Sequence, residues 1–366
     1  TLALGAAGVL ADASALNVAA GATFDMNNHS ETVAAVTSGG TLTGTGGTTL
    51  TAASYTFAGG TGDVNLGAGT LTQSSGSTTL NGTVGALTVN VDGGTLVRGA
   101  SNRMANTAAV TVASGATLDL ASFNDTVGTF ASGGTLSGTG TLTATSYTLS
   151  GGTIDGNLGA GTLTQASGST TLNGTAGATT VNIDGGTLLL GAADRLANTA
   201  SISVNGGSLD IGANNDSVGA VTLVGGSIDG TSGVLTGTSY AVQSGSISAI
   251  LGGTAGLTKT TAGTVTLSGA NTYSGTTTIT AGTLAFGAHD ALGTATDVVV
   301  NGGTLDIGAF NATVGGVQLT TGTIAGTTGT LTSGTDFDLR SGTVSAALGG
   351  AVGADKTTAG SVTLSG

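Results

Sequence analysis

Proline, cysteine and tryptophan are all missing from this chain of 366 residues, and only 7% of its residues are charged. Each absence excludes something. Without cysteine there is no disulfide framework and no thiolate metal site, which suits an oxidising exterior met without cross-links. Without proline, no strand loses a ladder N–H, a requirement wherever a strand is paired on both sides. Charged residues usually make up roughly 25% of a soluble globular protein, so ion pairs cannot organise this one. No apolar run approaches the roughly 18 residues of a spanning helix. The formal net charge is −13, eighteen Asp and one Glu against six Lys and Arg. That balance disfavours nucleic acid and anionic membrane surfaces as partners.

What is present is glycine, 70 residues of it, and a hydrophobic fraction of 39%. The apolar residues are mostly Leu, Val and Ile set in alternation with Thr and Ser, which invites burial and argues against a flexible linker. Internal repetition decides the architecture. The run GAGTLTQSSGSTTLNG at 67–82 returns as GAGTLTQASGSTTLNG at 159–174. NGGSLDIG at 205–212 returns as NGGTLDIG at 301–308, and KTTAGTVTLSG at 259–269 as KTTAGSVTLSG at 356–366. The long repeat therefore spans 92 to 97 residues, and four copies tile the chain at 1–94, 95–186, 187–282 and 283–366.

A shorter beat runs inside it: a small-residue turn, Thr or Ser, then one aliphatic. In the second copy those aliphatics are Leu96, Leu118, Leu136, Ile154 and Leu172; in the third they are Leu188, Leu209, Ile228, Ile247 and Leu267, followed by Leu284. The long repeat is thus five units of about nineteen residues, too short for a helix pair and ample for three short strands joined by turns. One such coil cannot bury enough apolar surface to offset the entropy of ordering it. Stacked coils pair their backbones above and below and merge their aliphatics into a column. The sequence predicts an all-β protein, a parallel β-helix of about nineteen coils running through 1–366 as one continuous solenoid. Neither end reads as a polar cap, so the chain is expected to be a window on a longer repetitive polypeptide.

The stretch LSGANTYSGTTTITAGTLAFG at 267–287, followed by NGGTLDIG, resembles the autotransporter-associated β-strand repeat of type V secreted bacterial surface proteins. The resemblance implies a right-handed β-helix passenger, exported to the outer surface of a Gram-negative-type cell, with a translocator barrel elsewhere in the full chain. In the first two copies LTQ(S/A)SGSTTLNG stands in place of the signature.

Candidate chemistry is sparse. Arg103 and Arg195 share a phase but lie five coils apart, and His29 and His289 are isolated, so neither a lyase site nor a triad assembles. GGTGDV at 59–64 misses a calcium nonapeptide by one place, at Asp63. Asp25, Asp119, Asp210 and Asp306 recur five coils apart. Asp210 and Asp229 alone fall in adjacent coils at one phase, where two carboxylates could hold a hard cation. Tyr55, Tyr147, Tyr240 and Phe337 recur as corner-packing residues. Asn81, Asn124, Asn173, Asn215 and Asn311 match the glycosylation pattern but are read as turn formers. No cofactor and no catalytic residue is expected. The function classes that fit are a non-enzymatic stalk or adhesin segment and a self-assembling extracellular filament or matrix. Its partner would be a surface ligand or another copy meeting it through coil ends or sides. Ice binding by Thr-X-Thr pairs such as Thr141/Thr143 and Thr264/Thr266 is disfavoured by steps that vary from 16 to 22 residues.

Overall fold

Alternation of one apolar with one hydroxyl-bearing residue gives each short strand an inner and an outer edge. In the computed structural model, which describes residues 1–45 and 47–366, the strand Thr88–Val91 buries Val89 and Val91 and turns Thr88 and Asn90 outward. The same pattern recurs in strand after strand, and the strand pairings among the described residues are parallel. The result is an all-β parallel solenoid of about nineteen coils, with no helix among the described residues. Two compact units are distinguished, Thr1–Ala178 and Thr179–Gly366.

In the unit Thr1–Ala178 each coil lays down two strands in turn. The first face runs from Ala15–Val18 through Ala35–Ser38, Ser54–Phe57 and Thr70–Gln73 to Thr162–Gln165, nine strands without a register shift. The second face follows across a corner of small residues. On it Leu96, Leu118, Leu136, Ile154 and Leu172 stack as neighbours, all completely buried. Burial of each contributes roughly 1.5–3 kcal/mol. Steps of 22 and 18 residues between these neighbours leave the register undisturbed, because the extra residues bulge out at corners. The outward Thr95, Thr117, Thr135, Thr153 and Thr171 accordingly keep one phase. Variable step length is therefore no argument about the regularity of a face.

A third strand is laid down only in part of each long repeat. Three-stranded patches form at Glu31–Thr32, Thr49–Thr51 and Asn65–Leu66, and at Asp125–Thr126, Thr141–Thr143 and Asn157–Leu158. Elsewhere that side of the coil is turn and loop with single parallel bridges, as Met104 within 99–108 makes to Val84.

The unit Thr179–Gly366 repeats the scheme. Its first face begins at Thr180–Ile183, and its third-face patches are Asp216–Ser217, Val234–Thr236 and Ile250–Gly252, then Ala312–Val314, Thr330–Ser333 and Ala347–Gly349. Near its end Val298–Asp306 and Val317–Ala325 run through the corner as single nine-residue strands. Leu188, Leu209, Ile228, Ile247 and Leu267 stack as the spacing predicts. The following step does not. Leu267 pairs with Phe286, and Leu284 with Val265. Both strand positions point inward and lie two residues apart, so one aliphatic landmark cannot tell them apart. The same side-step occurs earlier, where Leu80 pairs with Arg98 and Thr78 with Leu96.

Corners explain the glycine. At Gly152 φ is +84°, and a Cβ would strike the carbonyl of Gly134 on the neighbouring coil. Only glycine fits both demands.

Candidate functional site

A network of buried hydrogen bonds lies around 257–296. Lys259 ends a first-face strand, Leu257–Lys259, with its side chain inward and buried. Its Nζ turns across the corner to donate to the carbonyls of Thr261 and, at 3.3 Å, Ala281. No carboxylate meets it, and burial lowers its pKa. After the second-face strand Thr264–Leu267 the coil has no third strand, and Asn271 takes over that side. Its Oδ1 accepts from the Leu251 amide at 2.7 Å and its Nδ2 donates to the Ala291 carbonyl at 2.7 Å, one coil before and one coil after. Tyr273, fully buried, meets Thr277 Oγ1 at 2.7 Å and leans on Tyr240 with ring centroids 5.9 Å apart. Burial raises its pKa. Thr296 Oγ1 donates to the Tyr273 carbonyl at 2.6 Å. Removing one strand exposes backbone groups that must find other partners, and these side chains supply them.

The first two repeats reach the same end with other residues. Gln73 and Gln165, completely buried, donate Nε2 to the carbonyls of Ser75 and Ser167, each at 2.6 Å, across the corner that Lys259 spans later. The departure from the signature noted in the sequence is therefore a change of capping group at a fixed place.

A second recurring group escaped the sequence reading. Glu31, Asp125 and Asp216 are almost wholly buried on third-face strands. Glu31 Oε2 accepts from the amides of Val9 at 3.0 Å and Leu10 at 3.3 Å. Asp125 accepts from Arg103 and Met104, and Asp216 from Arg195 at 2.9 Å and Leu196 at 3.0 Å. Each acid ties down the loop of the preceding coil, and Ala312 holds the equivalent place in the last repeat. Arg103 and Arg195, noticed for their charge, thus serve through their backbone. The available signal was the phase: in SET, NDT and NDS the middle residue occupies the inward pleat.

Asp125 also faces Arg98, whose Nε lies 3.2 Å from Oδ2 with both side chains 1% exposed. Nη1 and Nη2 of Arg98 have no hydrogen-bond partner. Burial lowers the pKa of Arg98 and raises that of Asp125, the second effect opposed by the guanidinium and three backbone amides. Asp216 is likewise raised by burial, though the Leu196 and Arg195 amides counter it.

The other expected positions are placed as follows. Asp210 and Asp229 are register partners on adjacent coils. Asp210 Oδ1 accepts from the Gly212 amide at 2.8 Å; Asp229 Oδ2 accepts from the hydroxyls of Ser208 and Ser227, both at 2.6 Å, and Oδ1 from Ser248 at 3.3 Å. Among the described residues no three His, Cys, Asp or Glu side chains gather as ion ligands would. Asp25, Asp119 and Asp306 each cap their own turn as Asp210 does, accepting from the amide two residues on. Asp63 accepts from Asn81 at 2.6 Å. His289 Nδ1 accepts from the Asn311 amide at 2.9 Å and packs edge-on against Phe310. Asn124, Asn215 and Asn311 accept from Thr141, Val234 and Thr330 one coil later, while their side chains remain exposed. The tyrosines fill corners: Tyr147 donates to the Leu142 carbonyl at 3.0 Å and accepts from Ala144 at 2.8 Å, and Tyr55 and Tyr240 do the same in their coils.

No curated protein and no solved structure matches the chain. One family model does, over the segment that holds Lys259, Asn271, Tyr273 and Thr277, and it meets the resemblance to an autotransporter passenger repeat drawn from the sequence. Residues 257–286 of this β-solenoid match the passenger-associated-transport-repeat.

Proposed function

We propose that this chain is a structural passenger segment of a secreted or surface-located bacterial protein, a stalk that carries a binding part rather than an enzyme. The observation that carries the reading is the passenger-associated-transport-repeat at 257–286, set within a parallel β-solenoid. Its own polar side chains support a mechanical role. Lys259, Asn271, Gln73, Gln165, Asp125 and Asp216 all bond to backbone groups of neighbouring coils or corners, so they are committed to holding the stack. Parallel stacking supplies the stiffness, because each strand is bonded on both sides.

The test is display. The chain, fused ahead of a translocator barrel and produced in a Gram-negative host, is expected to reach the cell exterior and to be labelled there by an impermeant reagent. Retention in the periplasm of a folded chain would count against the passenger reading. A cation between Asp210 and Asp229 has a separate test. Calcium that raises the melting temperature of the parent chain but not of Asp229→Asn would establish it. A filament is the second reading, and the uncharged face described next favours it.

A further inference from the structure

We propose that the first face of the unit Thr1–Ala178 is a pairing surface for a second copy of this chain. Its outward residues form two columns. One is Ala15, Ala35, Ser54, Thr70, Thr88, Ala109, Thr129, Ser146 and Thr162; the other is Asn17, Thr37, Thr56, Thr72, Asn90, Thr111, Ala131, Thr148 and Thr164. Not one of the eighteen is charged, and none is aromatic. Most of the unit's outward acids sit elsewhere: Asp25, Asp63, Asp119 and Asp155 lie on the second face or at its strand ends, and Asp92 alone borders the first face, just past the strand Thr88–Val91.

Three physical arguments point to a second copy. Two molecules that meet through the second face bring Asp25, Asp63, Asp119 and Asp155 against like charges, whereas the strands of this face carry no charge to repel its twin. The face is also regular. Nine strands hold one register with no bulge, and the side chains are short, so two such faces can interdigitate as stacked sheets do. Finally, its area suffices. Nine strands at about 4.8 Å, each about 13 Å long, make about 560 Å² per copy, or about 1,100 Å² for the pair. That clears the roughly 1,000 Å² expected of a specific contact and sits at its low end. Contacts at that low end are weak and transient, so the pairing is expected to be concentration-dependent. A sugar-binding platform would need exposed aromatic rings, and this face has none.

Sedimentation equilibrium of the full chain over a wide concentration range tests the proposal, which does not depend on the passenger reading. A monomer–dimer equilibrium is expected. Thr72→Asp, Thr111→Asp and Thr148→Asp together are expected to weaken it at least 100-fold. The triple Thr117→Asp, Thr135→Asp and Thr153→Asp on the second face adds the same charge and is expected to change it less than about threefold. Circular dichroism and melting confirm that both variants fold. Should the first triple not fold, Thr111→Cys, a unique thiol in this chain, is expected to cross-link copies through a bis-maleimide faster than Thr135→Cys. Four results overturn the proposal: a chain monomeric throughout, association indifferent to the first-face acids, equal loss in both triples, or equal cross-linking of the two thiols. A monomer that instead reshapes growing ice crystals would assign the face to ice and overturn it too.

Discussion

Replacing Arg98 with leucine should stabilise this protein, although Arg98 forms a buried ion pair. Arg98 stands in an aliphatic column, beside Leu80 on the neighbouring coil, and is 1% exposed. The guanidinium has one ion-pair contact, 3.2 Å to Asp125, while Nη1 and Nη2 meet no acceptor. Removing a guanidinium from water costs several kcal/mol, and a single contact with poor donor geometry does not recover that. The next repeat shows the alternative: TLLL at 187–190 has Leu190 where TLVR at 95–98 has Arg98. There Asp216 keeps its two amide bonds without a cation. Asp125 would likewise retain the Arg103, Met104 and Thr126 amides. The expected gain for Arg98→Leu is about 1–3 kcal/mol, in line with hydrophobic replacement of buried ion pairs. Asp125→Ala should do the reverse and cost about 3–5 kcal/mol, since it strands the guanidinium and uncaps the loop. Stacked coils need not unfold in one step, so a global free energy is the wrong measure. Hydrogen exchange at the Met104 and Thr126 amides under increasing urea reads the local opening instead. If Arg98→Leu exposes these amides as much as Asp125→Ala does, the reasoning about desolvation is wrong.

Further outcomes follow from the same contacts. Tyr147→Phe removes a hydroxyl bonded to Leu142 and Ala144 and should cost about 1–3 kcal/mol at that corner, read by urea titration. Gly152→Ala, at φ +84° against a neighbouring carbonyl, should cost at least about 2 kcal/mol or open the corner to proteolysis. Because burial raises the Asp216 pKa, its ionised form is the costly one in the folded state. The parent chain should therefore gain stability relative to Asp216→Asn as pH falls from neutral through the raised range, and lose that gain as pH rises again. Asp338 behaves oppositely. Arg340, Thr357 and Gln318 hydrogen bonds depress it, so its stabilising effect is present above the ordinary carboxylate range and disappears as pH falls through the depressed one. Asp338→Asn should abolish that acid-side loss, an effect under about 1 kcal/mol at this half-buried surface place.

The coil period, the strand alternation and most of the aliphatic columns were legible because burial repeats with the pleat. Leu118 on Leu96 and Ile228 on Leu209 needed only a count between turns. The step past Leu267 was not legible, since two inward positions on one strand offer the same chemistry to a landmark of one aliphatic. The capping acids were hidden for a different reason. Asp119 and Asp125 lie six residues apart, and charge alone favours neither. One sits outward and caps its own turn, while the other sits inward and holds the preceding coil. Only the register of the third face separates them. Equivalence of Gln73, Gln165 and Lys259 was obscured by chemistry: an amide and an ammonium share no letter, yet both offer N–H donors at the end of a chain that can cross a corner.

The loops that interrupt the third face, such as 99–108 and 191–200, leave pairing on the other two faces intact. Extra residues placed at their exposed turns, Asn106–Thr107 and Asn198–Thr199, would spare the buried Met104 and Leu196, whose amides Asp125 and Asp216 hold, and would displace no ladder. Each long repeat thus carries its own port for foreign sequence. A lineage or an engineer could lengthen these loops into epitopes, docking tags or small domains, spaced by the repeat, while the stacked strands continue to fold as before.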